Sequence, residues 1–318
     1  MGQSCSQKCC GDNKPGQPNH PADSGSINLP ASTKPEHEKE AVETRGDAQL
    51  QRDEGLGVNS PSYFDRELPE LNAMKGQSGP AGKRPPFKFK SGAVYTGHWK
   101  SNAREGYGVQ RWSDGAIYEG EWKDNCADGK GRFTHSDGDA YIGQWKANVA
   151  HGKGIYYHKD LTTYEGDWCN DLQEGYGVET WGEGSRYEGL FRSGQKEGWG
   201  VYFWPDGSQY RGTWEGNSIN GRGAYIGSDG RLFKGRWHDS VIHGMGKYAW
   251  PDGREYCGQY MFDRKEGFGV FIWPDGRKYD GFWYQGRQHG HGKYTLKDGS
   301  SRIAMWRDGK RSSEESEA

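Results

Sequence analysis

The sequence is poor in aliphatic side chains and has no long hydrophobic run. Only 31% of its 318 residues are hydrophobic, whereas 52 are glycine. This composition leaves too little aliphatic material for an ordinary two-layer core. Because no run of about 18 apolar residues occurs, we expect no transmembrane helix. The first residues contain no apolar h-region, so we also expect no secretory signal peptide.

An excess of charge of one sign is also missing. The formal net charge is -2, and from residue 87 onward 32 basic residues balance 32 acidic ones. The chain has no basic block and no recognised nucleic-acid motif, so we expect no nucleic acid among its partners.

Aromatic residues are abundant and regularly spaced. They make up 14% of the chain, and 42 of the 44 lie at residue 87 or later. A unit of 23 residues recurs nine times without insertion or deletion, which indicates a repeat architecture. The repeats, numbered 1 to 9, begin at Tyr95, Tyr118, Tyr141, Tyr164, Tyr187, Tyr210, Phe233, Tyr256 and Tyr279.

Each repeat is described by offsets counted from its first aromatic residue. Offsets 2, 11 and 13 are glycine and offset 4 is aromatic in every copy; offset 19 is always acidic, and offset 20 is glycine except at Leu161. An Asp-Gly pair between two short runs predicts a hairpin turn, because glycine accepts a positive φ without a steric penalty. Three copies carry Trp-Pro-Asp-Gly, which begins at Trp204, Trp250 and Trp273.

Strand periodicity places the rings on one face of the predicted sheet. Offsets 0, 2 and 4 alternate with solvent-facing positions in the first strand, as do offsets 13, 15 and 17 in the second. Glycine normally weakens a strand. We therefore predict that each glycine leaves a hollow covered by a neighbouring ring. The other face is mixed, with Arg211 and Lys234 beside Val109 and Ile272.

The motif Y-x-G-x-W, the paired glycines and the late Asp-Gly resemble the MORN (membrane occupation and recognition nexus) repeat. The resemblance covers 95–301 continuously, with a half-repeat at each end. It fits an all-β fold: an elongated, single-layer, twisted antiparallel sheet of consecutive 23-residue hairpins, preceded by a disordered N-terminal tail. The predicted segments are an acylation segment (1–10), a disordered tether (11–86), the repeat array (87–310) and an acidic tail (311–318).

The first ten residues fit a dual-acylation signal. Met1-Gly2 followed by Ser6 matches the N-myristoylation pattern. One myristoyl chain binds a bilayer with K of only about 10⁴ M⁻¹, so stable attachment needs a second signal. No basic cluster is present, which leaves palmitoylation as the predicted second signal. The predicted lipidation sites are Gly2, Cys5, Cys9 and Cys10.

One part of the tether differs from the rest. The segment from Tyr63 to Met74 carries Phe64 and Leu71 in an otherwise polar region, and Pro69 is suited to the first turn of a helix. Three interpretations stay open: sticky linker residues, a cap over the first strand, or a segment that docks on the array's own aromatic face.

Nothing in the repeats indicates catalysis, metal binding or a cofactor. His151, His243 and His289 share offset 10 but belong to repeats 3, 7 and 9. They are therefore expected to lie too far apart for a metal site. The G-x-G pairs are predicted strand glycines rather than a phosphate loop, since no helix follows them. We expect no enzyme, no metal and no cofactor.

The preferred function is a membrane-anchored scaffold that presents an aromatic groove to a cytoskeletal or membrane-associated protein. An extended peptide or an amphipathic helix would dock there. The resemblance implies the cytoplasmic face of the plasma membrane, or of an internal pellicle-type membrane, as the location. The predicted binding face comprises Tyr187, Trp204, Tyr210, Trp214, Trp237, Trp250, Tyr256, Trp273 and Trp283.

Two further expectations concern partners. Members of the family in protists pair through their C-terminal repeats, so the resemblance implies a homodimer with its edge near Trp306. The alternative function is direct phospholipid (phosphoinositide) binding by the repeats, which requires a local cluster of basic side chains such as Arg211, Arg222, Lys234 and Arg236.

Overall fold

The computed structural model describes residues 62–77 and 79–312. These residues fall into two compact units divided between Pro205 and Asp206, which we call the N-terminal unit and the C-terminal unit. Each unit is an open antiparallel sheet of consecutive hairpin strands, which confirms the predicted fold class.

The N-terminal unit begins with a 3-10 turn (Tyr63–Asp65) and one short helix, α1 (Leu68–Ala73). Two short strands, β1 (Gly82–Lys83) and β2 (Phe87–Lys88), both pair with β3. From β3 onward each strand pairs with the next one along the chain. These strands are β3 (Val94–Lys100), β4 (Ala103–Arg111), β5 (Ile117–Lys123), β6 (Cys126–Thr134), β7 (Ala140–Lys146), β8 (Val149–Tyr157), β9 (Thr163–Cys169), β10 (Leu172–Thr180), β11 (Arg186–Arg192) and β12 (Gln195–Phe203).

The C-terminal unit continues the same alternation of seven-residue and nine-residue strands. Each of its strands also pairs with its successor. They are β13 (Gln209–Glu215), β14 (Ser218–Ile226), β15 (Leu232–His238), β16 (Val241–Ala249), β17 (Glu255–Met261), β18 (Arg264–Ile272), β19 (Lys278–Tyr284), β20 (Arg287–Thr295), β21 (Ser301–Arg307) and the two-residue β22 (Lys310–Arg311).

The core of each repeat is an aromatic ring that lies over two facing glycines. Gly97 and Gly108 are cross-strand partners on β3 and β4. A Cβ atom on Gly97 would lie 2.5 Å from the Tyr95 hydroxyl oxygen, and one on Gly108 would lie closer still. The Tyr95 hydroxyl donates a hydrogen bond to the His98 carbonyl oxygen at 2.9 Å. The structure therefore confirms the prediction that rings cover the hollows left by the glycines.

Two kinds of turn connect the strands. The predicted Asp-Gly turn is present: Gly115 has φ +98°, and the Asp114 carboxylate accepts the Ala116 backbone N–H at 3.1 Å. The turn within each repeat lies at offsets 6 and 7, where both residues take positive φ, as at Ser101 (48°) and Asn102 (60°). Positive φ at both central residues is typical of the type I′ hairpin turn.

This second turn also ties each repeat to the one before it. In repeat 2 the Asn125 side-chain oxygen accepts the Arg104 backbone N–H at 2.7 Å, and the Asn125 N–H donates to the Arg104 carbonyl at 3.1 Å. The Asp124 N–H donates to the Glu105 carboxylate at 3.0 Å. The polar residue at offset 10, represented here by Glu105, thus accepts the turn amide of the following repeat.

The ordered region starts earlier than the sequence indicated. Residues 62–86 were predicted to belong to the disordered tether, but 62–77 and 79–86 carry the 3-10 turn, α1 and β1 of the N-terminal unit. They are folded because their apolar side chains are buried against the repeats. At the other end, β22 includes Lys310 and Arg311 and so crosses the predicted boundary at 310. The acylation segment, residues 11–61 and residues 313–318 lie outside the described residues.

The packing predicts that Gly108 is intolerant of even one methyl group. We expect Gly108→Ala to lower the free energy of unfolding by about 1–3 kcal/mol, because the new Cβ overlaps the Tyr95 ring. Urea unfolding followed by tryptophan fluorescence measures the change. Gly115→Asn is the control, since that glycine has positive φ, which asparagine tolerates, and open space around it. Equal losses in the two variants would contradict the proposed role of the ring.

Candidate functional site

The ring face of each unit consists of the side chains at offsets 0, 4, 9, 15 and 17. Rings from successive repeats meet edge to face, as Tyr210 and Trp237 do with centroids 5.5 Å apart. The indole N–H of Trp283 donates to the Gly269 carbonyl oxygen of the preceding repeat at 3.1 Å. Such edge-to-face aromatic pairs each add about 0.5–1.5 kcal/mol beyond area burial.

The predicted binding-face residues divide into two sets. The members at offsets 0 and 4 are buried in the ring packing and form the core: Tyr187, Tyr210, Trp214, Trp237, Tyr256 and Trp283. The members at offset 17 are only partly buried: Trp204, Trp250 and Trp273. The second set therefore exposes more of its ring surface than the first, whose rings are mostly covered by their neighbours.

The chain's own N-terminal segment lies on the ring face of repeats 1–3. Phe64 is 5% exposed. Its ring packs in a cage of five rings, with centroid distances from 5.3 to 6.0 Å: Trp112, Tyr118, Trp122, Phe133 and Trp145. The structure therefore agrees with the third interpretation of this segment, in which it docks on the aromatic face of the array.

Polar contacts fix the register of the docked segment. The buried Glu67 carboxylate accepts hydrogen bonds from the Trp112 indole N–H at 3.1 Å and the Ser91 hydroxyl at 2.8 Å. Arg66 forms an ion pair with Asp114 at 2.9 Å and lies over the Tyr63 ring. The segment therefore binds through two buried aromatic side chains, Tyr63 and Phe64, with the buried carboxylate of Glu67 three residues after Phe64.

A buried lysine lies in the ring face of the C-terminal unit. Lys265 on β18 is 4% exposed. Its ammonium nitrogen is between 4.5 and 5.4 Å from the centroids of the Trp250, Tyr256, Phe271 and Trp283 rings. Burial, and then the nearby Arg254, lower the pKa of Lys265 well below its ordinary value. Aromatic faces attract the cation but do not replace the water that it loses.

The second face, formed by offsets 1, 3, 12 and 14, differs in charge between the two units. In repeats 6–9 these positions hold six basic residues and one acidic residue, whereas in repeats 1–5 they hold three basic and five acidic residues. Arg222 lies opposite Arg236, and Lys234 lies opposite Lys247, on adjacent strands. Like charges directly opposite each other repel. Of these four, only Lys247 has a carboxylate partner within the described ranges, Glu255 at 2.9 Å.

Exposed apolar side chains lie on the same face. Phe268 and Phe282, 49% and 51% exposed, contact each other with centroids 5.8 Å apart. Beside the arginine pair an open pocket is lined by Arg222, Arg236 and two histidines, His238 and His243. Four of the basic residues were predicted from the sequence. The apolar residues Phe268 and Phe282 were not, although offsets 12 and 3 place them on the same face.

Trp306, the predicted dimer edge, belongs to the core of the C-terminal unit. It is buried, and its ring contacts Tyr279 at 5.3 Å. On its far side, β22 pairs with β21 at Trp306 and Arg307. A dimer at this edge would therefore use β21 backbone or the exposed Ile303 and Met305 rather than the Trp306 ring. The homodimer stays a prediction.

The residues that the structure describes include no group of three or more His, Cys, Asp or Glu side chains placed to hold a metal ion. No helix among them has the length and apolar character needed to cross a bilayer. The lipidation sites Gly2, Cys5, Cys9 and Cys10 lie outside the described residues.

The fold defines a class of protein: a β-hairpin repeat array in which aromatic rings pack on glycines. The chain belongs to the MORN repeat family, whose model matches nine consecutive segments. These are residues 95–117, 118–140, 141–163, 164–186, 187–209, 210–230, 233–253, 256–276 and 279–301.

Similarity to solved structures is weak. The TCP10 domain of Danio rerio CPAP is 14% identical with a TM-score of 0.37, over 63% of this chain and 94% of that one. The TCP10c domain of Drosophila melanogaster Sas-4 is 11% identical with a TM-score of 0.26, over 62% and 96%. Virginiamycin B lyase from Staphylococcus aureus is 10% identical with a TM-score of 0.14, over 71% and 85%. TM-scores this low carry no information about function. No curated protein matched the chain.

The buried lysine predicts a specific pH dependence. Because the pKa of Lys265 is lowered in the folded state, the unfolded chain binds more protons between that pKa and the unfolded value of about 10.4. The wild type should therefore gain stability relative to Lys265→Met as the pH rises toward 10. At neutral pH we expect Lys265→Met to be the more stable protein by about 1–3 kcal/mol.

Urea unfolding at several pH values from 7 to 10 measures this difference. The matched control is Lys123→Met, which removes an exposed lysine of β5 and should show no such trend. A stability difference between wild type and Lys265→Met that does not change with pH would contradict the account of Lys265.

Proposed function

We propose that the chain is a non-enzymatic, membrane-associated scaffold that presents the ring face of its MORN repeats to a protein partner. The observation that carries this proposal is the docked segment. Phe64 and Glu67 are buried on repeats 1–3, so this type of surface accepts a short segment with aromatic and acidic side chains. Aromatic side chains commonly anchor such interfaces.

Acylation is the proposed means of attachment. Gly2 and Ser6 supply the myristoylation pattern, and Cys5, Cys9 and Cys10 offer sites for a second acyl chain. Two chains would give stable binding where one gives only marginal binding. The proposed location is the cytoplasmic face of the plasma membrane or of an internal pellicle-type membrane, and the proposed assembly is a homodimer through the C-terminal repeats.

Cell fractionation tests the attachment. We expect wild-type protein in the membrane fraction and both Gly2→Ala and the Cys5/Cys9/Cys10→Ser variant in the cytosol, because each removes one of two required signals. Myristate and palmitate labelling checks which chain each variant lacks. If Gly2→Ala stays fully membrane-bound, the acyl anchor is not what holds the protein there.

A second candidate function is direct binding of anionic phospholipid by the second face of the C-terminal unit. The observation in its favour is the cluster of Arg222, Lys234, Arg236 and Lys247 on the same face as the exposed Phe268. Basic residues near an anionic bilayer contribute about 1 kcal/mol each, and apolar side chains add to this by insertion.

Liposome flotation of unacylated full-length Gly2→Ala protein separates this candidate from the scaffold. On vesicles that contain phosphatidylserine and phosphoinositide, lipid binding would float the protein, and Arg222→Gln/Arg236→Gln would reduce flotation at least several-fold. Lys130→Gln, on the acidic second face of the N-terminal unit, is the matched control. If neither protein floats, the repeats do not bind lipid on their own.

A further inference from the structure

Offset 9 places its side chain inside the ring face, and three of the nine repeats put a cation there. Arg104, Lys196 and Lys265 occupy this position in repeats 1, 5 and 8; the other copies hold alanine, isoleucine or glutamine. Burial of a charge without a partner of opposite sign is unfavourable. The environment of each cation therefore indicates which kind of group compensates its charge.

The first two cations have polar partners, and one of them, Lys196, has an ion pair. The Arg104 guanidinium lies 4.0 Å from the Trp122 ring centroid and donates to the Asn125 carbonyl oxygen at 2.7 Å. Burial lowers the pKa of Arg104 to about 10, and Glu67 of the docked segment opposes that shift more than any other group. Lys196 forms an ion pair with Glu179 at 3.0 Å.

The third cation has no acidic neighbour of this kind. Within 62–77 and 79–312, Lys265 forms no ion pair or hydrogen bond through its ammonium group, although it is more than nine-tenths buried among four rings. The charged group that most affects its pKa is Arg254, which has the same sign. A carboxylate would stabilise a cation buried in this way, and the described residues do not supply one.

Next to Lys265, and sharing the Trp283 ring with its surroundings, lies a set of rings that corresponds to the site of the docked segment. Each ring of the Phe64 cage has an aromatic counterpart seven repeats later in the C-terminal unit. The correspondence is Trp112 with Trp273, Tyr118 with Tyr279, Trp122 with Trp283, Phe133 with Tyr294, and Trp145 with Trp306. Offset 9 carries a cation next to both sites: Arg104 in repeat 1 and Lys265 in repeat 8.

Several differences change the charge of the C-terminal site. Arg277 lies 5.6 Å from the Trp273 ring centroid and donates to the Tyr294 hydroxyl at 3.3 Å. The corresponding residue in repeat 1 is Ala116. Asp275 balances part of this charge through ion pairs with Arg277 and Lys297. The Ser91 hydroxyl that donates to Glu67 corresponds to Asp252, which pairs with Arg254, so the C-terminal site offers its ligand the Lys265 and Arg277 cations in place of that hydroxyl.

We propose that the ring face of repeats 8 and 9 binds an acidic segment of a partner protein. The segment brings a carboxylate to Lys265 and an aromatic side chain, three residues earlier, to the rings around Trp273. This inference rests on the scaffold function proposed above and specifies the chemistry of its partner. The chain's own segment, with Phe64 and Glu67, is the model for the ligand.

A peptide of residues 62–77 of this chain is the probe, titrated into unacylated full-length protein by isothermal calorimetry. We expect saturable binding, weakened about tenfold or more by Glu67→Gln in the peptide or by Lys265→Met in the protein, since each removes one partner of a charged hydrogen bond. Lys123→Met in the protein should leave the affinity unchanged. Photo-cross-linking from position 64 of the peptide should label the 273–306 region.

The outcomes separate this inference from the function on which it rests. If Trp273→Ala abolishes peptide binding but Lys265→Met does not, the ring face docks partners and the acidic assignment is wrong. If peptide binding is absent, or if neither variant changes it, both the inference and the docking role of this face are overturned. If a chain that ends at Ser312 binds the peptide more tightly, the acidic C-terminal tail is the occupant rather than a partner protein.

Discussion

The structure depends on the contact between the first aromatic ring of each repeat and two glycines that face each other across a hairpin. The Tyr95 ring occupies space that a Cβ on Gly97 or Gly108 would need, and its hydroxyl satisfies the His98 carbonyl. A sheet with one layer has no opposing layer to cover it. It is stable because rings bury rings along the array, so that each repeat completes its core with its neighbours.

That constraint decides which side chains are free for function. The rings at offsets 0 and 4 are largely buried in the core, so a partner meets their remaining surface together with the rings at offsets 15 and 17 and the side chain at offset 9. In the N-terminal unit this surface holds Phe64 and Glu67. In the C-terminal unit the corresponding set of rings lies next to Lys265, whose ammonium group forms no ion pair within the described residues. The second face carries a separate basic cluster, which is suited to anionic phospholipid rather than to a protein segment.

The sequence predicted much of this fold because the determinants are local. Three features could be predicted from the sequence alone: the 23-residue period, the ring over the glycines and the Asp-Gly turn at Gly115. The turn at Ser101–Asn102 was missed although Asn and Gly recur at offset 7. The docking of Phe64 was one of three alternatives, because contact between residues 64 and 145 depends on tertiary packing. The charge state of Lys265 could not be predicted for the same reason, because it depends on which carboxylates lie near it in the folded structure.

Hydrogen exchange of the full-length protein tests the central claim most directly, namely that the ring face is a docking surface. We expect amides of α1 to be protected in the wild type and to exchange freely in Phe64→Ala. Strands β5 to β8 should keep their protection in that variant, because their ladders do not depend on the segment. Lys75→Ala, an exposed change in the same segment, should leave α1 protected. Equal exchange of α1 in wild type and Phe64→Ala would show that Phe64 does not hold the segment on the rings.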